Sequence, residues 1–224
     1  MNVLGRLQAR VLGYGRERVL VAFSGGVDSS VVVAVSALAL GPDRVEAVTA
    51  VSPSLPMGEL EAARAVAAGL GVVHRTVQTR EVERDAYARN DGLRCFHCKN
   101  ELYATLGRLG GDLDVAVLAG TNADDVDDLR PGLLAAERWA VRNPLLEEGV
   151  GKEEVRALAR HLGLPVADKP AMACLSSRVA FGVRVTPELL SRIDRAEQAI
   201  RSLGYAVVRV RHFGRRASIE VHPR

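Results

Sequence analysis

Residues 18–30 read Arg18-Val19-Leu20-Val21-Ala22-Phe23-Ser24-Gly25-Gly26-Val27-Asp28-Ser29-Ser30. Arg18–Phe23 is a short apolar run of the kind that makes a buried strand. Ser24–Ser29 interrupts it with two adjacent glycines, and Asp28–Leu40 then resumes as an apolar stretch that predicts a buried helix. The first N–H groups of such a helix have no intrahelical acceptor and carry partial positive charge, so the turn is an anion site. Gly25 and Gly26 let the backbone approach a ligand closely, and the Ser24 and Ser29 hydroxyls can bond phosphate oxygens. Asp28 disfavours a bare phosphate, which implies a bound Mg²⁺ or a capping role. The spacing is not the Gly-x-x-x-x-Gly-Lys-Ser/Thr of the Walker loop. The plain alternative is a glycine-rich turn with an aspartate cap.

Further strands are expected at Val45–Val51, Val72–Val77 and Leu113–Ala119, with helices at Gly58–Leu70 and Lys152–Leu162 between and after them. Strands alternating with helices of this length make an α/β fold with a parallel sheet and helices on both faces. Such strands are covered on both sides, which explains their apolar character. Ligands in these sheets bind beyond the carboxyl ends of the strands, so chemistry is expected just after residues 23, 51, 77 and 119. The pattern changes near residue 165. Thr186-Pro187-Glu188 opens a helix running to about Leu203, and Tyr205–His212 and Ala217–Val221 alternate as a hairpin around Gly214. Residues 1–165 are therefore expected to form an α/β domain, and 166–224 a small C-terminal α+β unit.

The chain has 224 residues, 48% hydrophobic and 25% charged, which suits a packed core and excludes a fibrous or disordered chain. Its longest apolar run, Val31–Leu40, is too short to span a membrane, and Met1–Arg10 lacks a signal-peptide pattern. Net charge is only +3, too small to argue for nucleic acid. Lysine occurs at Lys99, Lys152 and Lys169 alone, so 27 of the 30 basic residues are arginine. Three cysteines do not make a disulfide framework, and a reducing cytoplasm is expected.

Those cysteines are the second chemical feature. Cys95-Phe96-His97-Cys98 places two thiols three apart, and Cys174 lies 76 positions beyond Cys98. Three thiolates could hold an iron–sulfur cluster with one open iron. They could equally bind zinc with His97 or His161, or be unrelated reduced thiols, and spacing alone favours these over a cluster. Arg94, Lys99 and Arg178 flank the cysteines and could favour their thiolates. Arg209 and Arg211 share one face of a predicted strand opposite Val208 and Val210, a spacing that suits a phosphomonoester or merely a charged hairpin face. Asp124, Asp125, Asp127 and Asp128 could hold Mg²⁺, position a substrate or cap a helix. His97 reads as a helix residue and Trp139 as core.

Ser24-Gly25-Gly26-Val27-Asp28-Ser29 resembles the PP-loop of the ATP pyrophosphatase superfamily. The resemblance implies that Ser24, Gly25, Gly26, Asp28 and Ser29 hold ATP phosphates, with Mg²⁺ at Asp28, and that Ala50 and Val51 lie near the adenine. Arg94–Lys99, Gly120–Asp125 with Arg130-Pro131-Gly132, and Asp168–Arg178 are similar to one branch, the LarE-type ATP-dependent sulfur transferases. This likeness runs from about residue 5 to 222. It implies ATP-driven adenylylation of a pyridinium-3,5-dicarboxylate mononucleotide and its conversion to a thiocarboxylate, for the nickel-pincer cofactor of lactate racemase. Cys95, Cys98 and Cys174 match the members thought to hold a [4Fe-4S] cluster. Arg209, Arg211 and Arg178 would then face the substrate phosphate, Glu220 would be the acidic residue beside them and a weak candidate metal ligand, and a homo-oligomer is implied. The family pattern continues beyond the hairpin with a helix and a strand, so the small unit is expected to be open at its edge. Two other readings stay open: a PP-loop tRNA thiolase, and a non-catalytic zinc- and nucleotide-binding module.

Overall fold

The computed structural model describes residues 2–111, 114–125 and 131–221. Strand β1 (Arg18–Ala22) lies between β2 (Val45–Val51) and β4 (Val115–Ala119), parallel to both. β3 (Val73–Gln78) pairs in parallel with β2, so the sheet order is β3-β2-β1-β4. The chain thus builds outward from β1 to β3 on one side, then returns to lay β4 on the other. The crevice between β1 and β4 is the topological switch point, where ligands of such sheets bind.

Alternation along β1 sorts its side chains into two cores. Val19, Val21 and the following Phe23 join a cluster with α1 (Val3–Gly13), α2 (Val27–Leu40) and α8 (Lys152–His161), through Leu7, Val31 and Leu158 among others. Leu20 and Ala22 face the other way, onto Tyr103 and Leu106 of α5 (Arg94–Gly110) and Ala135 and Ala136 of α6 (Pro131–Arg138). Helix α2 lies against the sheet and is flanked by α1 and α8, which is why it is apolar nearly all round. Burial of each of its valines favours this packing by about 1.5–3 kcal/mol.

Two expectations fail here. β3 is not covered on both faces: Val73, Arg75, Thr76 and Gln78 are exposed, because it is an edge strand with β2 as its partner. Trp139 is not core. It follows α6 at the surface with 38% exposure, rests near Gly107, and donates its indole N–H to Asn100 Oδ1 at 3.0 Å. Leu113, the first residue of the expected fourth strand, lies outside the described residues.

The C-terminal elements have their own apolar cluster. Thr186 Oγ1 accepts from Leu189 N at 3.2 Å and caps α9 (Pro187–Arg201). β5 (Val208–His212) and β6 (Ala217–Val221) form the expected antiparallel hairpin. Val208 and Val210 pack with Leu190 and Ile193, whereas β6 is exposed throughout. That cluster also takes Val82 and Tyr87, the latter from α4 (Asp85–Ala88) just after β3. Asn90 ties the segments further, donating from Nδ2 to the carbonyls of Ala180 at 2.7 Å and Val183 at 3.0 Å. Among the described residues no helix is long and apolar enough to cross a membrane.

Candidate active site

The loop after β1 is shaped by packing that leaves the start of α2 open. Gly25 has φ +69°, and a Cβ there would lie 2.9 Å from the Ala63 Cβ of α3 (Glu59–Gly69), so only glycine fits. Gly26 occupies the N-cap position with no side chain to cap the helix. Ser24 Oγ and Ser29 Oγ lie 3.1 Å apart across the turn, and Ser29 Oγ also donates to the Gly26 carbonyl at 3.2 Å. Asp28 is not a cap. Its Oδ1 accepts from Asn122 Nδ2 at 3.0 Å and its Oδ2 from Lys152 Nζ at 2.5 Å.

A cavity of about 500 Å³ opens at the switch point, lined by Ser24, Asp28 and Ser29 on one side and Cys95, Lys99 and Tyr103 of α5 on another. Gly120, after β4, presses on the loop: a Cβ there would fall 2.7 Å from Ser29 N. Asp125 lines the same cavity and accepts from Asn122 N at 3.2 Å. Asp124 instead caps α8, accepting from Lys152 N at 2.7 Å. Asp127, Asp128 and Arg130 lie outside the described residues. Ala50 and Val51 end β2 half-buried, and neither lines this cavity.

A second cavity of about 150 Å³, also lined by Asp28, adds Glu59, Lys152 and Arg156, which no motif marks, and Lys169 of the Asp168–Arg178 stretch. Lys169 Nζ binds Glu59 Oε2 at 2.7 Å and the Gly25 carbonyl at 3.4 Å. Arg156 fixes that segment by donating to the carbonyls of Ala167 at 2.5 Å and Lys169 at 3.1 Å. The signal available in the sequence was the rarity of lysine itself.

The three thiols are neighbours in unlike settings. Cys95 is exposed in the larger cavity, and Cys174 is exposed at the head of the short turn Leu175–Arg178. Cys98 packs against the second apolar cluster. Burial pushes its thiol up to about 12; the Glu81 charge adds to this, Lys99 opposes it, and Cys174 and Cys95 also act on it. The Lys99 ammonium sits 5.7 Å over the Tyr103 ring and is raised, first by Tyr103 and then, against its burial, by the three cysteines. Among the described residues no group of three His, Cys, Asp or Glu side chains is placed to hold a metal ion. His97 meets Phe96 edge-on, and His161 lies on α8, which packs on the opposite face of the sheet from α5.

Two further residues, which no motif marks, tie the segments after β2 and β3 to the Cys174 turn. Buried Glu81 accepts from Ser52 Oγ at 2.6 Å and Ser54 Oγ at 3.1 Å, while Leu175 N donates to the Ser54 carbonyl at 2.9 Å. Tyr87 OH meets Ser176 Oγ at 2.7 Å, and burial, then Cys174, raises its pKa. Ser52 and Ser54 follow β2, a position the strand-end rule marks, but nothing local points to Glu81.

Arg178 does not reach a substrate cavity. It is 2% exposed, with its guanidinium on Glu197 at 3.0 Å and on the carbonyls of Ala173 at 2.6 Å and Cys174 at 3.2 Å. In this arrangement it supports the Cys174 turn, because α9 supplies the buried carboxylate that holds its guanidinium. Arg94 is likewise held, by Asn90 Oδ1 at 2.5 Å and the Ser176 carbonyl at 2.8 Å. Arg209 and Glu220 line a cavity of about 570 Å³ whose wall, Pro170-Ala171, also lines the small lysine cavity. Arg211 pairs with Glu220 at 2.5 Å, and that bond first of all holds the Glu220 carboxyl below its ordinary range.

A glycine loop between a parallel strand and an open helix start, at the switch point, with cations converging on it, is the PP-loop fold of ATP-using proteins. The family model described as NAD synthase matches residues 2–94. The chain is 47% identical to an uncharacterised protein of Synechocystis, over 92% of this chain and 77% of that protein. It is 35% identical to the pyridinium-3,5-bisthiocarboxylic acid mononucleotide synthase of Lactiplantibacillus plantarum, over 92% and 75%. A tRNA-specific 2-thiouridylase of Azorhizobium caulinodans is 34% identical, over 68% of this chain and 49% of that protein. The chain belongs to the LarE-type family of PP-loop ATP-using enzymes.

Proposed function

We propose that this enzyme adenylylates a carboxylate of a pyridinium-3,5-dicarboxylate mononucleotide and exchanges the activated oxygen for sulfur, as a step toward the nickel-pincer cofactor. One observation carries the reading: Cys95 lines the same cavity of about 500 Å³ as Ser24, Asp28 and Ser29, so activation and sulfur delivery share a chamber. The similarity to the bisthiocarboxylic acid mononucleotide synthase supports the substrate class. Three cysteines free of disulfides suit a reducing cytoplasm.

A carboxylate resists nucleophiles. Its oxygen attacks the ATP α-phosphorus, the α–β bridge breaks, and pyrophosphate leaves, giving an acyl-adenylate with AMP as a good leaving group. Ser24, Ser29 and the open N–H groups of α2 bind the phosphates, and Asp28 would hold the Mg²⁺ that neutralises them. A sulfur nucleophile then forms the acyl C–S bond and expels AMP. The three thiols, with Cys95 and Cys174 both acting on Cys98, fit a cluster's donor set in chemistry, although their side chains do not stand gathered around one point. Cys95, Cys98 and Cys174 would hold a [4Fe-4S] cluster, which when bound supplies one open iron for a delivered sulfide. Arg178 positions the Cys174 turn, and Arg209 and Arg211, beside Glu220, receive the substrate phosphate.

The deciding experiment is an anaerobic assay with ATP and the dicarboxylate nucleotide, following pyrophosphate release and thiocarboxylate mass. Asp28→Ala should lose both signals. Cys174→Ala should keep pyrophosphate release and lose sulfur incorporation. Thiolation of tRNA with no turnover of the nucleotide would overturn the proposal in favour of the thiouridylase reading.

A further inference from the structure

We propose that Glu81 is a positioning residue for the sulfur step: through Ser52 and Ser54 it sets the exit of β2 against the Cys174 turn, and so fixes where the Cys174 thiol stands. This deepens the sulfur-transfer reading above and rests on it.

The first observation concerns what holds Cys174. The residue is exposed and stands in extended backbone (φ −61°, ψ 156°) at the head of the Leu175–Arg178 turn, and its side chain makes no capping hydrogen bond. The backbone therefore places the thiol. Within the turn, the Cys174 carbonyl accepts from Ser177 N at 3.0 Å, Ser177 Oγ at 2.8 Å and Arg178 Nη1 at 3.2 Å. These bonds give the turn its shape. Contacts from other segments give it its place, among them Leu175 N to the Ser54 carbonyl at 2.9 Å and Ser176 Oγ to Tyr87 OH at 2.7 Å. The Leu175 N–H belongs to the peptide that Cys174 itself closes, so along the chain the Ser54 carbonyl is the outside anchor nearest the thiol.

The second observation concerns what holds that anchor. Ser52 Oγ donates to Glu81 Oε1 at 2.6 Å and Ser54 Oγ donates to the same oxygen at 3.1 Å. Ser54 N donates to Ser52 Oγ at 3.2 Å, and the two hydroxyls lie 2.8 Å apart. The corner after β2 thus closes on one carboxylate oxygen. Glu81 comes from the short turn Glu81–Glu83 after β3, and Thr79 N bonds the Val51 carbonyl at 3.1 Å, which ties the two strand exits together. Glu81 and Ser54 are both buried, so water does not compete for these bonds. Charge-assisted bonds of this kind are shorter and stronger than neutral ones.

The third observation separates this clamp from plain structural support. Glu81 Oε2 is buried and has no hydrogen-bond partner among the described residues. An unpaired buried carboxylate oxygen destabilises the fold, and a neutral amide would hold the two serines at lower cost. A group that lowers stability while stiffening the support of a reacting thiol follows the stability–activity trade-off of working sites.

The test is the anaerobic assay with ATP and the dicarboxylate nucleotide, read as thiocarboxylate formed per pyrophosphate released. Iodoacetamide labelling of Cys174 against Cys95 in metal-free protein runs beside it. Glu81→Ala should release pyrophosphate within about twofold of the parent while the ratio falls about 10- to 100-fold, the loss expected when a reacting group is slightly misplaced. Glu81→Gln keeps a carbonyl acceptor for both serines and should hold the ratio within about threefold of the parent. Ser52→Ala removes only the shortest bond, so it reads the same effect if Glu81→Ala does not fold; its ratio should fall about threefold or more. Cys174 labelling relative to Cys95 should rise in Glu81→Ala and Ser52→Ala and stay at the parent value in Glu81→Gln. An unchanged ratio in Glu81→Ala and Ser52→Ala, even with a lower urea midpoint, would overturn the inference. So would a proportional loss of both products, or a Glu81→Gln protein as impaired as Glu81→Ala. A parent that releases pyrophosphate and makes no thiocarboxylate would overturn the sulfur-transfer reading instead. The labelling then still tests the hold of Glu81 on Cys174, and equal labelling in parent and variants would remove it.

Discussion

Replacing Glu197 with alanine removes the support beneath Cys174, and the cost follows from the hydrogen bonds that this carboxylate accepts. Glu197 and Arg178 are both buried. Glu197 Oε1 accepts from Arg178 Nε and Val210 N, each at 3.0 Å, and Oε2 accepts from Arg201 at 2.8 Å. Removing one partner of a buried ion pair costs about 3–5 kcal/mol, because the other charge stays buried without compensation. The orphaned Val210 amide adds about 1–3 kcal/mol, partly overlapping. A loss of about 4 kcal/mol, with a urea slope near 3 kcal/mol per molar, lowers the denaturation midpoint by about 1–2 M. Glu197→Gln keeps an acceptor for Val210 and should lose less. Circular dichroism during a urea titration reads both. The pH dependence has a definite sign. Burial alone would raise the Glu197 carboxyl, but Arg178, the Val210 N–H and Arg201 outweigh it and hold it below its ordinary range. A carboxyl depressed in the folded state stabilises above its unfolded pKa and loses that contribution as pH falls through the folded value. The gap between parent and variant should therefore narrow in acid. Because Arg178 also donates to the carbonyls of Ala173 and Cys174, Glu197→Gln should lose thiocarboxylate formation before pyrophosphate release. A midpoint within about 0.3 M of the parent at pH 7, or a gap that widens toward acid, would refute the reasoning.

Gly120→Ala drives a Cβ to 2.7 Å from Ser29 N and 2.9 Å from the Asp28 carbonyl carbon, both backbone atoms. The overpacking should cost about 1–3 kcal/mol and lower Tm by about 2–4 °C for each of them, with weaker ATP binding; an unchanged melt and titration would contradict this. Iodoacetamide at pH 8 should label Cys95 and Cys174 of metal-free protein before Cys98, since burial pushes the Cys98 thiol up to about 12. Equal labelling by peptide mass would exclude that ordering. Arg211→Ala should raise KM for the mononucleotide substrate and leave KM for ATP unchanged, and equal effects on both would remove its phosphate role.

Ser24–Ser29 could be read without a structure because an anion-binding turn is made by contiguous residues. Glycine's backbone freedom, the hydroxyl spacing and the helix start all follow from local chemistry. The alternating strands and helices were legible for the same reason, as was the Thr186 cap on α9. Long-range packing decided the rest. Trp139 looks apolar in sequence, but only the course of the chain after α6 puts it at the surface. Arg178 reads as a cation beside a thiol until α9 folds Glu197 under it. Lys152 stands 124 positions from Asp28 and Lys169 stands 110 from Glu59, so no spacing rule could couple them. The Glu81 charge acts on Cys98 only because the segment after β3 packs with the Cys174 turn. A motif carries its meaning in neighbouring backbone, whereas a buried charge takes its role from whichever distant group the fold sets against it. The identity of the loop was therefore written in six consecutive residues, and the identity of the groups that work with it was settled by the tertiary structure alone.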